Sequence, residues 1–443
     1  MKKRNTVALG VCLTAVIWIC TPLKAQVQTV DDGTFNSSLD SGYATQSPSQ
    51  SGINAELETR LTRDTNVFSD NSRPYSDFIY QEGALINLWK SQPRWNLALQ
   101  YRPTLLQYQH ESSLNSFDQG LELTGNYSFT PRFRFQGTET FDSFTGFLPS
   151  SSNQYFVLPT SGFTGVKNTL IAPTSHDLST ASEGQLIYDV SPRGSFDLTG
   201  GYLLQDFSGI KDAPQGVLSP GLLDTNGATG GASYTYRYTQ RIALGLRYVY
   251  QYFHYGRGGS DQSHTGLVTA HWDIAEHVGL DLYGGPSYST VFGTQFFPGT
   301  NGLPTKFTTV SPTFGGTFSV RSDRTVVNVS AQHTVSGGGG LLMTVMSDYE
   351  GAELRHQLTD NWDFVVTGSY NRSVALQSTA SQGKINGETF GTAVEHPIIG
   401  ELSARVEYDY SRQRINQFVS LGTNVNTNRV SVGLFYRIGE PRL

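Results

Sequence analysis

The chain has 443 residues, a net charge of −6, 15% charged residues and 37% AVILMFWYC, with 47 glycines, 23 tyrosines and 25 phenylalanines. It is too aromatic and too weakly charged for a disordered acidic tail. Nothing after residue 20 approaches the run of about 20 apolar residues that a spanning helix needs, and no basic run marks a nucleic-acid binder.

The first element is a targeting segment. Met1-Lys2-Lys3-Arg4 is basic, Val7 to Cys20 is apolar, Pro22 breaks the run and Ala25 is a cleavage candidate. Residues 1–25 therefore read as a secretory signal peptide. Both cysteines, Cys12 and Cys20, leave with it, so the exported part carries neither disulfides nor a Cys-ligated metal. Because the signal removes only bases, what remains is more acidic than the whole chain. Residues 26–50 are Gln-, Ser- and Thr-rich without periodicity and read as a flexible periplasmic lead.

From about residue 51 to the end, the pattern is alternation. Ile242, Leu244, Leu246, Tyr248, Tyr250 and Tyr252 share a face opposite Ala243, Gly245, Arg247 and Gln251. Leu402, Ala404, Val406, Tyr408 and Tyr410 oppose Ser403, Arg405, Glu407 and Asp409, while Val430, Val432, Leu434, Tyr436 and Ile438 oppose Arg429, Ser431, Gly433 and Arg437. Phe435 breaks the last pattern. Period 2 means strands. These reach about 12 residues, the length of a membrane strand rather than of a typical soluble one.

Connections alternate in length. Thr130-Pro131-Arg132, Ser191 to Gly194, Thr239-Gln240 and Thr359 to Asn361 are short; stretches near 65–77, 145–178, 208–226 and 413–426 are long. The tally predicts an all-β, transmembrane, antiparallel up-and-down barrel of about 18 strands over 51–443, with 16 as the competitor and both termini periplasmic. A closed sheet is required because an open edge is not viable in lipid. The tryptophans Trp89, Trp95, Trp272 and Trp362 all sit beside short turns and read as the interface girdle.

Three features carry a family resemblance: Arg63-Asp64-Thr65-Asn66-Val67-Phe68 after the first strand, the Thr130-Pro131-Arg132 and Ser191-Pro192-Arg193 turns, and the terminal Ser431-x-Gly433-x-x-Tyr436-x-Ile438. With them the body resembles the outer-membrane β-barrel porins, especially the subgroup linked to exopolysaccharide and exosortase loci. The chain departs from the pattern in its tail, Gly439 to Leu443, where many members end on an aromatic. The resemblance implies a bacterial outer-membrane, porin-like channel for diffusion or export of small polar solutes or a glycan. It also implies that the barrel-assembly machinery reads Gly433, Tyr436 and Ile438.

For the lumen, alternation selects Glu56, Glu58, Arg60, Arg102, Glu122, Arg134, Asp189, Asp197, Arg237, Arg247, Asp281, Glu353, Arg355, Asp363, Arg405, Glu407 and Asp409. The mixed signs fit a salt-bridged wall, or a transverse field in which Arg405, Glu407 and Asp409 orient a solute. The long 145–178 connection carries Phe147, Tyr155, Phe156 and Phe163 with Lys167. So apolar a loop is expected to fold inward and narrow the pore, or to form a surface lid or oligomer contact.

Enzymatic readings are weak. No G-x-S-x-G element occurs, His271 and His277 fit no zinc spacing, and Ser260, Ser263 and His264 lack an acid to orient them. No cofactor, metal, catalytic set or nucleic-acid partner is expected. A plugged structural or adhesive barrel and an outer-membrane hydrolase remain as alternatives. Bilayer conductance separates the first, and activity after Ser263→Ala the second.

Overall fold

The computed structural model describes residues 51–69, 71, 73–145, 175–209, 222–256, 259–294, 304–337, 344–376, 383–416 and 424–439. The strands are β1 (Gly52–Asp64), β2 (Asp77–Gln92), β3 (Trp95–Tyr108), β4 (Ser116–Thr130), β5 (Phe133–Thr145) and β6 (Ser175–Ser191). They continue as β7 (Gly194–Gly209), β8 (Thr225–Arg237), β9 (Ile242–Tyr255), β10 (Gly259–Ala275), β11 (Val278–Thr294) and β12 (Pro304–Arg321). The last six are β13 (Thr325–Gly337), β14 (Thr344–Thr359), β15 (Trp362–Ala375), β16 (Lys384–Ile399), β17 (Leu402–Asn416) and β18 (Asn424–Ile438).

Each strand pairs antiparallel with its sequence neighbours, and β1 closes on β18 from Ala55↔Ile438 to Asp64↔Arg429. The result is a closed barrel of 18 strands. The sequence count is met, but the strands are longer than expected, 13 to 18 residues. They extend beyond the roughly 9–11 residues that a bilayer requires. Among the described residues the only helix is one 3-10 turn, Ser112–Leu114, and no helix is long and apolar enough to cross a membrane.

Alternation sorts the two faces as the sequence indicates. Leu244, Leu246, Val406, Val430, Val432, Leu434 and Ile438 point outward and are exposed. Their strand neighbours Gln251, Glu407, Ser431 and Phe435 point inward and are buried. A continuous exposed apolar belt on a closed barrel is the surface a bilayer covers.

The short turns follow from their sequences. In Thr130-Pro131-Arg132 and Ser191-Pro192-Arg193 the arginine N–H donates to the hydroxyl two residues earlier, at 3.3 Å. Thr239 accepts from Arg241 and Ile242 in the same way. The hydroxyl thus supplies the acceptor that a tight turn lacks, and proline fixes φ at the next position.

One seam is irregular. The β12–β13 ladder holds only eight pairs, Phe314↔His333 to Arg321↔Val326, whereas β12 pairs β11 along its whole length. Beyond His333, Thr334, Val335, Ser336 and Gly337 are all buried, as are Thr344 and Val345 on β14. A wall strand buries one face; here both are covered. The upper ends of β13 and β14 lean into the lumen, with the β12–β13 seam open and β14 still paired to β15 up to Val345↔Ala375.

Candidate functional site: the lumen and its mouth

The inward face of β16, β17, β18 and β1 is a connected set of ion pairs. Arg405 donates to Glu395 Oε2 from Nη2 at 2.7 Å and from Nε at 3.2 Å. Arg437 bridges Glu395 Oε1 and Glu56 Oε2, both at 2.7 Å. Arg60 reaches Glu58 at 2.5 Å and Glu407 at 3.1 Å. Phe435, the exception to the alternation, lies beneath this set, with the Arg405 guanidinium 4.5 Å and that of Arg60 5.9 Å from its ring centre. Gly433 makes room for it: a Cβ there would stand 3.2 Å from both the Phe435 ring and the Thr59 carbonyl.

Arg405, Glu407 and Asp409 are therefore brought together, but as wall rather than as a solute-facing dipole. Glu407 is 1% and Asp409 6% exposed. The geometry favours the salt-bridged reading of Arg405 and Glu407, with Asp409 buried beside Glu407. The set spans the closure between the last strand and the first, so it braces the one seam that joins the chain ends.

The Arg63-Asp64-Thr65-Asn66 element completes that seam at the long-loop rim. Asp64 accepts from Arg429 Nε at 2.7 Å and from the Asn66 N–H at 2.8 Å. Asn66 donates to the Asn426 carbonyl, and Thr65 exchanges bonds with Asn428. The residues that carry the family resemblance are a clasp between β1 and β18.

Elsewhere the inward face is more acidic than the sequence reading allowed. Arg247 faces Asp197 and Glu183, and Glu353 and Arg355 lie inward on β14 opposite Asn328 and Val326. Strand parity adds Asp77, Asp118, Asp142, Asp177, Glu183 and Asp261 to the acids. On the closure wall it adds Asp64 and Glu395 as acids, but only Arg429 and Arg437 as bases. Several of these aspartates sit at long-loop strand ends, which shorter expected strands left in the loops.

Burial grades along the barrel. On β9 and β10 the inward residues near the short turns, Ala243 to Val249 and Leu267 to His271, are half-buried. Gln251, Phe253, Tyr255, Asp261 and Ser263, toward the long loops, are buried. Two apolar clusters fill this mouth. Leu203, Phe253 and Tyr255 form one, with Ala181 against it. Val345, Ile385 and Ile415 form the other, packed by Leu222 and Ala375. Leu222 precedes β8, while its partners belong to β14, β16 and β17, so the contact crosses the lumen. Thr344 ties the two sides: it donates to Asp261 Oδ2 at 2.5 Å and shares a 3.4 Å hydrogen bond with Tyr255.

The remaining candidates divide. Trp272 and Trp362 face outward beside short turns, 46% and 43% exposed, and Trp362 stacks on His396 at 4.3 Å. Trp95 also faces outward, opposite Gln92. Trp89 is a correction: it pairs with inward Gly52, whose Cβ position its ring covers, so it lies inside the barrel. It was assigned by its nearness to a turn, whereas strand parity decides the face. Gly433 faces inward; Tyr436 and Ile438 face outward. Phe147, Tyr155, Phe156, Phe163 and Lys167 fall in 146–174, outside the described residues. The signal and lead, 1–50, also lie outside them.

Ser263 points inward and is buried, while its neighbour His264 points outward among Tyr248, Tyr250 and Tyr288. The two are not a nucleophile–base pair. Among the described residues no three His, Cys, Asp or Glu gather as a metal site.

No protein-family model matches the chain, and no curated protein does. Solved structures similar to it include a porin, an outer membrane protein and a transporter. A BenF-like porin from Pseudomonas fluorescens Pf-5 is 12% identical, with 88% of this chain and 99% of that one covered and a TM-score of 0.44. The outer membrane protein OpdK from Pseudomonas aeruginosa is 11% identical, with 88% and 99% covered and a TM-score of 0.43. The ferric citrate transporter FecA is 11% identical with a TM-score of 0.43; the match covers 84% of this chain and only 61% of FecA's length. The superpositions are loose, and the 18-strand barrel rests on this chain's own strand pairing.

Proposed function

We propose that the chain is an outer-membrane channel for small polar solutes, with cationic or neutral solutes preferred over anionic ones. The observation that carries this reading is a closed barrel with an apolar outside and an inward face on which carboxylates outnumber guanidinium groups. Rings of acidic side chains raise the local concentration of cations in a narrow polar path. In this reading residues 1–25 direct export, 26–50 form a periplasmic lead, the short turns and both termini face the periplasm, and the long loops face outward. The assembly machinery recognises the terminal strand through Gly433, Tyr436 and Ile438. A neutral glycan fits the same path, as the resemblance to exopolysaccharide-linked porins implies; a polyanionic one does not.

The test is the reversal potential of folded protein in a planar bilayer under a potassium chloride gradient. A potential displaced toward that of the cation supports the reading, and one displaced toward chloride overturns it. The packed mouth favours a second reading, a plugged structural barrel, which predicts no conductance under any condition.

A further inference from the structure

The β12–β13 seam ends for a chemical reason. Pro286 of β11 stands opposite Pro312 of β12. Two prolines cannot form a hydrogen-bonded pair, so each lacks its N–H on the side away from the other. For Pro286 that side is β10, and there the β10–β11 ladder skips from Thr265↔Ser287 to Val268↔Gly284. For Pro312 that side is β13. The last pair formed is Phe314↔His333. Continuing the register would make Pro312↔Val335 the next hydrogen-bonded pair, one donor short.

Yet the two separated edges match. In that register Thr313 would face Thr334 and Ser311 would face Ser336 on the inside, with Val335 beside Pro312 outside. The outward ion pair of His333 with Asp348, at 2.5 Å, stands where the ladder stops.

We propose that the upper ends of β13 and β14 are a gate over the mouth of the channel. Closed, as in this structure, Val345 packs beside Ile385 and Ile415 on the same wall and meets Leu222 from across the lumen, and Thr344 latches onto Asp261. Open, these ends swing back together with the end of β15 that stays paired to β14, and β13 zips onto β12 in the continued register. The latch is incomplete: Asp261 Oδ1 is buried with no hydrogen-bond partner among the described residues. Pro312 leaves the zipped register one donor short, so each state carries one unmet hydrogen-bonding group. The inference rests on the channel reading for its consequence, though not for the motion itself.

Two cysteine pairs test it, since residues 51–443 contain no natural cysteine. Asp261→Cys with Thr344→Cys locks the closed state: on oxidation, bilayer conductance should fall to the lipid baseline and return with reductant. Ser311→Cys with Ser336→Cys traps the zipped state: it should crosslink in native outer membranes on a non-reducing gel, and lengthen open times several-fold. Absence of the second crosslink overturns the gate, as does a conducting protein whose conductance is undiminished once the first crosslink has formed. If both crosslinks form and no variant conducts, the strand motion stands and the channel reading falls.

Discussion

Asp64 shows how much one side chain carries in a barrel. It is 1% exposed and holds both the guanidinium of Arg429 and the N–H of Asn66. Asp64→Ala leaves Arg429 buried without that partner, a loss of about 3–5 kcal/mol for a broken buried pair. The expected readout is a lower unfolding temperature in heat-modifiable gel mobility, with no change in the outer apolar face. On that outer face, Val432→Arg or Leu244→Arg puts a charge toward lipid and should cost about 2–4 kcal/mol near the bilayer midplane, measured as urea stability in vesicles. Normal folding of either variant would mean the faces are reversed. Alternation made these lipid-facing residues legible. It did not expose the roles of Arg405, Glu407 and Asp409, because parity puts a residue inside without saying whether a partner such as Glu395 or Arg60 already holds it.

At the scale of elements, strand existence and order were readable because polarity alternates along the strands and all the short turns but Glu276-His277 carry a hydroxyl, proline or glycine. The bend of β13 and β14 was not. Thr334-Val335-Ser336 alternates equally well in a wall or across a lumen, and only Pro312 within a strand signalled an interrupted ladder. Restoring the donor with Pro312→Thr should favour the zipped state and raise the open fraction several-fold in single-channel records; a lowered open fraction would contradict the seam argument. Trp89 was misplaced for a related reason: nearness to a turn fixes height along the barrel, whereas parity fixes the face. The long-loop aspartates were missed because the strands outrun the membrane and carry the lumen with them.

For the whole molecule, composition and architecture agree. A hydrophobic share of 37% in 443 residues suffices when the apolar surface is a belt and the interior is polar. In the proposed reading the inward excess of carboxylates selects by charge, and the packed, apolar mouth decides when the path is continuous. The most direct test of the channel account is a planar bilayer recording of folded protein, with the oxidised Ser311→Cys/Ser336→Cys variant as the opened reference, under a potassium chloride gradient. The account predicts discrete steps with a reversal potential displaced toward potassium. A silent bilayer with both proteins, or a reversal potential displaced toward chloride, would contradict it.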